Sequence, residues 1–91
     1  MKRIWKFQLH EEADNLLKVP KGAKFLSVAE QQNRPVLYAL VDPDETKTEE
    51  WIVTTVGTGQ PIPDKILTGE FLGTVITWEG KLVWHCWRWK Q

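Results

Sequence analysis

The chain is predicted to fold as a small all-β domain, and three observations carry that prediction. Apolar residues recur with a period of two along most of its length, the side-chain alternation of strands. No segment carries an apolar stripe at helical spacing over about ten residues or more. Near the C-terminus, Glu79-Gly80 separates two alternating runs in the manner of a hairpin turn.

The elements follow in order. Arg3–Leu9 sets Trp5, Phe7 and Leu9 against Lys6 and Gln8, a half-buried strand. His10–Asn15 is acidic and aperiodic, Leu16–Val19 is a short strand, and Pro20-Lys21-Gly22 is a turn. Ala23–Gln31 is a strand with Phe25 on one face and Leu26 and Val28 on the other. Asn33-Arg34-Pro35 turns the chain into Val36–Val41, an apolar run suited to a strand buried on both faces or closed into a barrel. Asp42–Glu50 is a polar, acidic loop, and Trp51–Val56 is a strand rich in β-branched residues. Gly57–Asp64 holds two glycines and two prolines and is read as neither strand nor helix. Lys65–Gly69 is a helical turn or a bend, after which Glu70–Trp78 and Lys81–Trp89 form the terminal hairpin. The architecture expected is a single domain over 1–91, a small meander of six or seven strands forming a curled sheet, sandwich or barrel.

Composition narrows the function classes. The chain has 91 residues and six tryptophans, more than a core of this size requires. Its 12 basic and 12 acidic residues balance, and no basic block is available to neutralise a run of phosphates, so duplex nucleic acid is not an expected partner. The single cysteine, Cys86, excludes an intrachain disulfide and a cysteine-rich zinc site. The N-terminus alternates instead of forming an apolar signal core, and no run approaches the length of a membrane helix, so a cytoplasmic setting is expected.

No pattern points to a reaction centre or a cofactor. His85 and Cys86 are neighbours on a predicted strand, and their side chains therefore point to opposite faces. The acidic loop lacks the order of a calcium loop. The binding candidates are Tyr38, Trp51, His85 and Trp87 as aromatic contacts, Arg88 as a phosphate clamp, and the Gly57, Thr58, Gly59, Gln60 turn as a cradle of backbone N–H groups. The bland reading of that turn is a shaped, proline-stiffened connection, and of the aromatics a tryptophan-heavy core. On Lys81–Trp89, Val83, His85, Trp87 and Trp89 alternate with Leu82, Trp84, Cys86 and Arg88, which puts tryptophan on both faces. One face is expected to meet the domain's core, and the other a second copy of the chain or a bound molecule.

Taken together, Lys21–Val28, Leu37–Pro43, Gly57–Pro63, Gly73-Thr74 and Leu82–His85 resemble a family of small uncharacterised phage and prophage proteins. Gln60 stands where the resemblance leads one to expect histidine, and Trp87–Gln91 runs past the family's usual end. The resemblance transfers no catalytic residue. It implies a non-enzymatic phage-type binding protein in the host cytoplasm: a counter-defence factor that sequesters a nucleotide-derived immune signal, or an inhibitor that binds a host defence protein through an aromatic surface, or a virion or assembly accessory protein. The two-faced tryptophan strand adds the expectation of a homo-oligomer.

Overall fold

The computed structural model describes residues 1–91. The alternating segments become seven strands and one short helix: β1 (Arg3–Gln8), β2 (Asp14–Pro20), β3 (Lys24–Gln31), β4 (Arg34–Val41), β5 (Thr48–Gly57), α1 (Asp64–Leu67), β6 (Glu70–Thr77) and β7 (Leu82–Trp89). They form two antiparallel sheets, ordered β1-β4-β3 and β2-β5-β7-β6, packed as an open sandwich. Sequence neighbours pair only in the β3–β4 and β6–β7 hairpins, so an up-and-down order holds within each hairpin while the other strands interleave.

Between the sheets lie Leu9, Leu17, Val19, Leu37, Val53, Val75 and Cys86, with Phe7, Phe25, Val28, Trp51 and Leu72 packed around them. The two buried tryptophans have hydrogen-bonded indole N–H groups, whereas the buried Nε1 of half-buried Trp51 has no hydrogen-bond partner. Trp84 Nε1 donates to Thr77 Oγ1 at 3.2 Å and Trp89 Nε1 to Thr54 Oγ1 at 2.8 Å.

Three local expectations change. First, Phe25 and Val28 do not face opposite ways. A β-bulge between Phe25 and Ser27 absorbs one residue, and Phe25 and Val28 both pack on the core. Second, β5 begins at Thr48, inside the segment read as loop. Pairing of Lys18 with Glu50 and of Val19 with Glu49 extends the ladder there. Third, the β3–β4 turn centres on Gln32 and Asn33, at φ 53° and 64°, a type I′ geometry that matches the strand twist.

The position of β7 explains the tryptophans on both of its faces. It lies inside its sheet, between β5 and β6. Trp84, Cys86 and Arg88 point into the sandwich, and Val83, His85, Trp87 and Trp89 point out. Because β5 and β6 are both antiparallel to β7, they run parallel to each other and need a crossover. With the inner side filled by the other sheet, residues 58–69 cross the outer face of β7. This crossover, with Ile66 buried in it, covers Trp89 and places Lys65 Nζ 5.2 Å from the indole centroid. At Trp89, therefore, the expected second copy or bound molecule is replaced by the chain's own α1. Farther along, Phe71 (48% exposed) and Ile76 (55% exposed) flank a half-buried Trp87 and Val83 without such a cover.

Candidate functional site

The strand directions gather four connections at one end of the sandwich: residues 9–13, 32–33, 58–61 and 78–81. Side chains tie them together. Asn33 Oδ1 accepts from the Trp78 amide at 3.2 Å, Gln60 Nε2 donates to Glu12 Oε1 at 2.5 Å, and Thr77 Oγ1 approaches Glu11 Oε2 at 3.5 Å. Every non-glycine residue with positive φ in the protein is at this end: Glu12, Gln32, Asn33, Trp78 and Glu79. Such backbone costs about 1–3 kcal/mol per residue away from the turn positions that favour it, and a bulky side chain pays most.

The Gly57–Gln60 turn closes with the Gln60 amide donating to Gly57 O at 3.1 Å, and Gly59 at φ 88° supplies the left-handed corner. The Gly57 amide donates to Gln60 Oε1 at 2.8 Å. Two of the four amides of the expected cradle are thus satisfied within the turn, leaving Thr58 and Gly59. The Glu12 carboxylate beside Gln60 opposes an anion there. Gln60 acts as a strut between the turn and residues 9–13.

His85 is brought to this turn. Its Nε2 lies 2.7 Å from Thr58 Oγ1 and its Nδ1 3.1 Å from Thr74 Oγ1. Both ring nitrogens are held by hydroxyls, so the imidazole is fixed on the outer face. Two positions along, Trp87 packs on Phe71 with ring centroids 5.2 Å apart. Cys86 points the other way, is fully buried, and desolvation pushes its thiol up to about 12. A thiol so protonated is no nucleophile at neutral pH.

The remaining predicted residues lie elsewhere. Trp51 and Arg88 meet inside the sandwich, where the Arg88 guanidinium caps the paired Phe25 and Trp51 rings, 4.7 and 4.3 Å from centroids that are themselves 5.9 Å apart, with Nε 3.2 Å from Glu70 Oε1. Arg88 is therefore engaged within the fold and unavailable as the free phosphate clamp expected of it. Tyr38 lies on β4 between Lys6 and Ser27, in the other sheet. The nine candidates thus divide into the His85 turn with Trp87, the Arg88–Trp51 stack, and Tyr38.

Sequence reading passed over residues at the same end of the fold. Leu9, His10, Glu11, Gln32, Asn33, Arg34 and Trp78 line its largest cleft, about 450 Å³. Trp78 was legible only as one of many aromatics, because the contact that fixes it comes from Asn33, 45 residues away.

A family model covers residues 1–91, the whole chain. The chain belongs to the DUF7352 family. That family is described as a domain of unknown function. Neither a curated protein nor a solved structure matches the chain. Membership in DUF7352 thus names a group and no chemistry, and the residues themselves must carry the functional reading. No helix is long and apolar enough to cross a membrane.

Proposed function

We propose that this DUF7352 protein is a non-enzymatic binding protein of the phage type, a counter-defence factor that captures a nucleotide-derived signalling molecule. The observation that supports this reading is the division of the aromatics. Of six tryptophans only Trp84 and Trp89 are buried, whereas Trp5, Trp78 and Phe71 are exposed and Trp87 is half-buried. Base stacking on such rings contributes about 1–3 kcal/mol per base and tolerates varied ligands. Beside them, Thr58, Thr74 and His85 offer a hydrogen-bonding edge held in one geometry. Cys86, the side chain best suited to nucleophilic chemistry, is withdrawn from any ligand by burial. In a homo-oligomer, a facing copy would close the open side of such a site.

Calorimetric titration of the purified protein with cyclic dinucleotides and ADP-ribose-type nucleotides tests the reading. Binding with recovery of intact ligand after heat release is expected. Absence of heat with every ligand, or recovery of a cleaved product, refutes it. Native mass spectrometry of the same sample reports the subunit count and any co-purified ligand.

A second reading, capture of a host protein in the cytoplasm, is favoured by the uncovered Phe71, Ile76 and Trp87 surface, the residue types that dominate protein interfaces. It predicts that Phe71→Ala or Trp87→Ala abolishes a stoichiometric partner in pull-downs while nucleotide titrations stay silent.

A further inference from the structure

From the cleft at the loop end, we infer a binding site for a planar heteroaromatic ligand that carries a phosphate, of nucleoside monophosphate chemistry, with Trp78 stacking the ring and Arg34 taking the phosphate. The inference rests on the binding reading above for its ligand class and goes beyond it in assigning the site to residues outside the His85 turn.

Three observations carry it. Trp78 is 53% exposed and contributes nothing to the core, yet it holds a left-handed backbone at φ 54°. The type I′ turn that follows is complete without it: Glu79 and Gly80 supply the two positive-φ positions, and the Lys81 amide closes the turn onto Trp78 O at 3.0 Å. An unfavourable backbone kept at an exposed indole is a stored cost with no return in packing. The Asn33 side chain accepts from the Trp78 backbone amide and so anchors that residue's main chain at the rim of the cleft. Second, Arg34 lines the same cleft and takes part in no ion pair or side-chain hydrogen bond. A guanidinium free of internal partners presents its planar fork to a phosphate. Third, the remaining lining is polar: His10, Glu11, Gln32 and Asn33 supply donors and acceptors for a base edge or ribose hydroxyls, and the volume of about 450 Å³ suits one nucleotide.

Titration of the full chain with AMP and with GMP, followed by calorimetry, tests the site. Wild type is expected to bind at least one of them. Trp78→Ala and Arg34→Ala are each expected to weaken binding about tenfold or more, the loss of one stack or one phosphate contact. Leu16→Ala, at an exposed position of β2 outside the cleft, is expected to leave it unchanged. Trp78→Gly provides a second readout, because glycine relieves the left-handed backbone. Its thermal midpoint is expected to rise while binding is lost. A midpoint that falls in Trp78→Gly makes Trp78 structural and overturns the inference. Binding lost in Trp87→Ala but kept in both Trp78→Ala and Arg34→Ala overturns the site and leaves the nucleotide-binding reading standing. Silence of wild type toward AMP and GMP overturns the site. Heat with cyclic dinucleotides in that sample would preserve the broader reading, and silence there too would remove both.

Discussion

Gly69 tests how the crossover is seated on β7. An ideal Cβ built at Gly69 would lie 1.9 Å from Arg88 O and 2.8 Å from Trp89 Cβ. The shortfall from ordinary contact at 3.4 Å is about 1.5 Å, and the obstructing atom is backbone in a strand paired on both sides. A side-chain rotation cannot relieve that clash, so either α1 lifts from Trp89 or the β6–β7 ladder yields near Glu70. Overpacking of this kind costs about 1–3 kcal/mol, and a clash against backbone belongs at the top of that range. For a domain of this length each kcal/mol lowers the thermal midpoint by roughly 4–8 °C. Gly69→Ala is therefore expected to unfold roughly 12–24 °C below wild type when followed by circular dichroism. Gly80→Ala is the internal comparison. Gly80 has φ 86° and nothing within 4 Å of an added Cβ, so its cost is backbone strain alone, about 1–2 kcal/mol. If Gly69→Ala melts within a few degrees of wild type, or above Gly80→Ala, the close seating of the crossover on β7 is refuted. Tryptophan emission gives an independent check: lifting α1 exposes Trp89, and its fluorescence should shift to the red.

Two further outcomes follow from buried polar and titratable groups. Asn15 is buried, its Nδ2 donates to Val53 O at 3.1 Å and His10 O at 3.2 Å, and its Oδ1 accepts from the His10 amide at 2.8 Å. Asn15→Ala leaves those backbone groups unpaired and is expected to cost about 2–4 kcal/mol in urea unfolding; a change under 1 kcal/mol would contradict the network. The Cys86 thiol is raised from 9.0 to about 12 by burial, so the folded state holds its proton where the unfolded chain releases it. The resulting stability is fully present below pH 9 and is lost as pH rises from 9 toward 12, at up to about 1.4 kcal/mol per pH unit. Cys86→Ala should flatten that decline, and native wild type should resist thiol alkylation at pH 8 until denaturant is added; rapid labelling in buffer alone refutes the burial.

Much of the fold was legible because strand alternation is local. The faces of Lys81–Trp89 and the hairpin at Glu79-Gly80 depend on neighbouring residues, and both recur in the structure with one residue trimmed from each strand at the turn. Phe25 and Val28 were misplaced because a bulge changes the period without marking the sequence. The start of β5 was missed because Glu49 looks like loop in isolation. Its carboxylate is held below the usual range by the Gly22 amide, 3.1 Å away, and by Lys90, also 3.1 Å away. Of the candidate site, the Gly57–Gln60 turn and His85 did converge, through Thr58. Arg88 did not join them, since strand parity turns it inward onto Phe25 and Trp51.

By itself the sequence determined the all-β class, the two-faced tryptophan strand and a buried, unreactive Cys86, because period and composition act over a few residues at a time. Only the tertiary structure decided what covers that strand. Placing β7 between β5 and β6 forces the crossover over Trp89, and sheet order is set by contacts among residues dozens of positions apart. The same long-range packing brought Asn33 to Trp78 and opened the cleft beside Arg34.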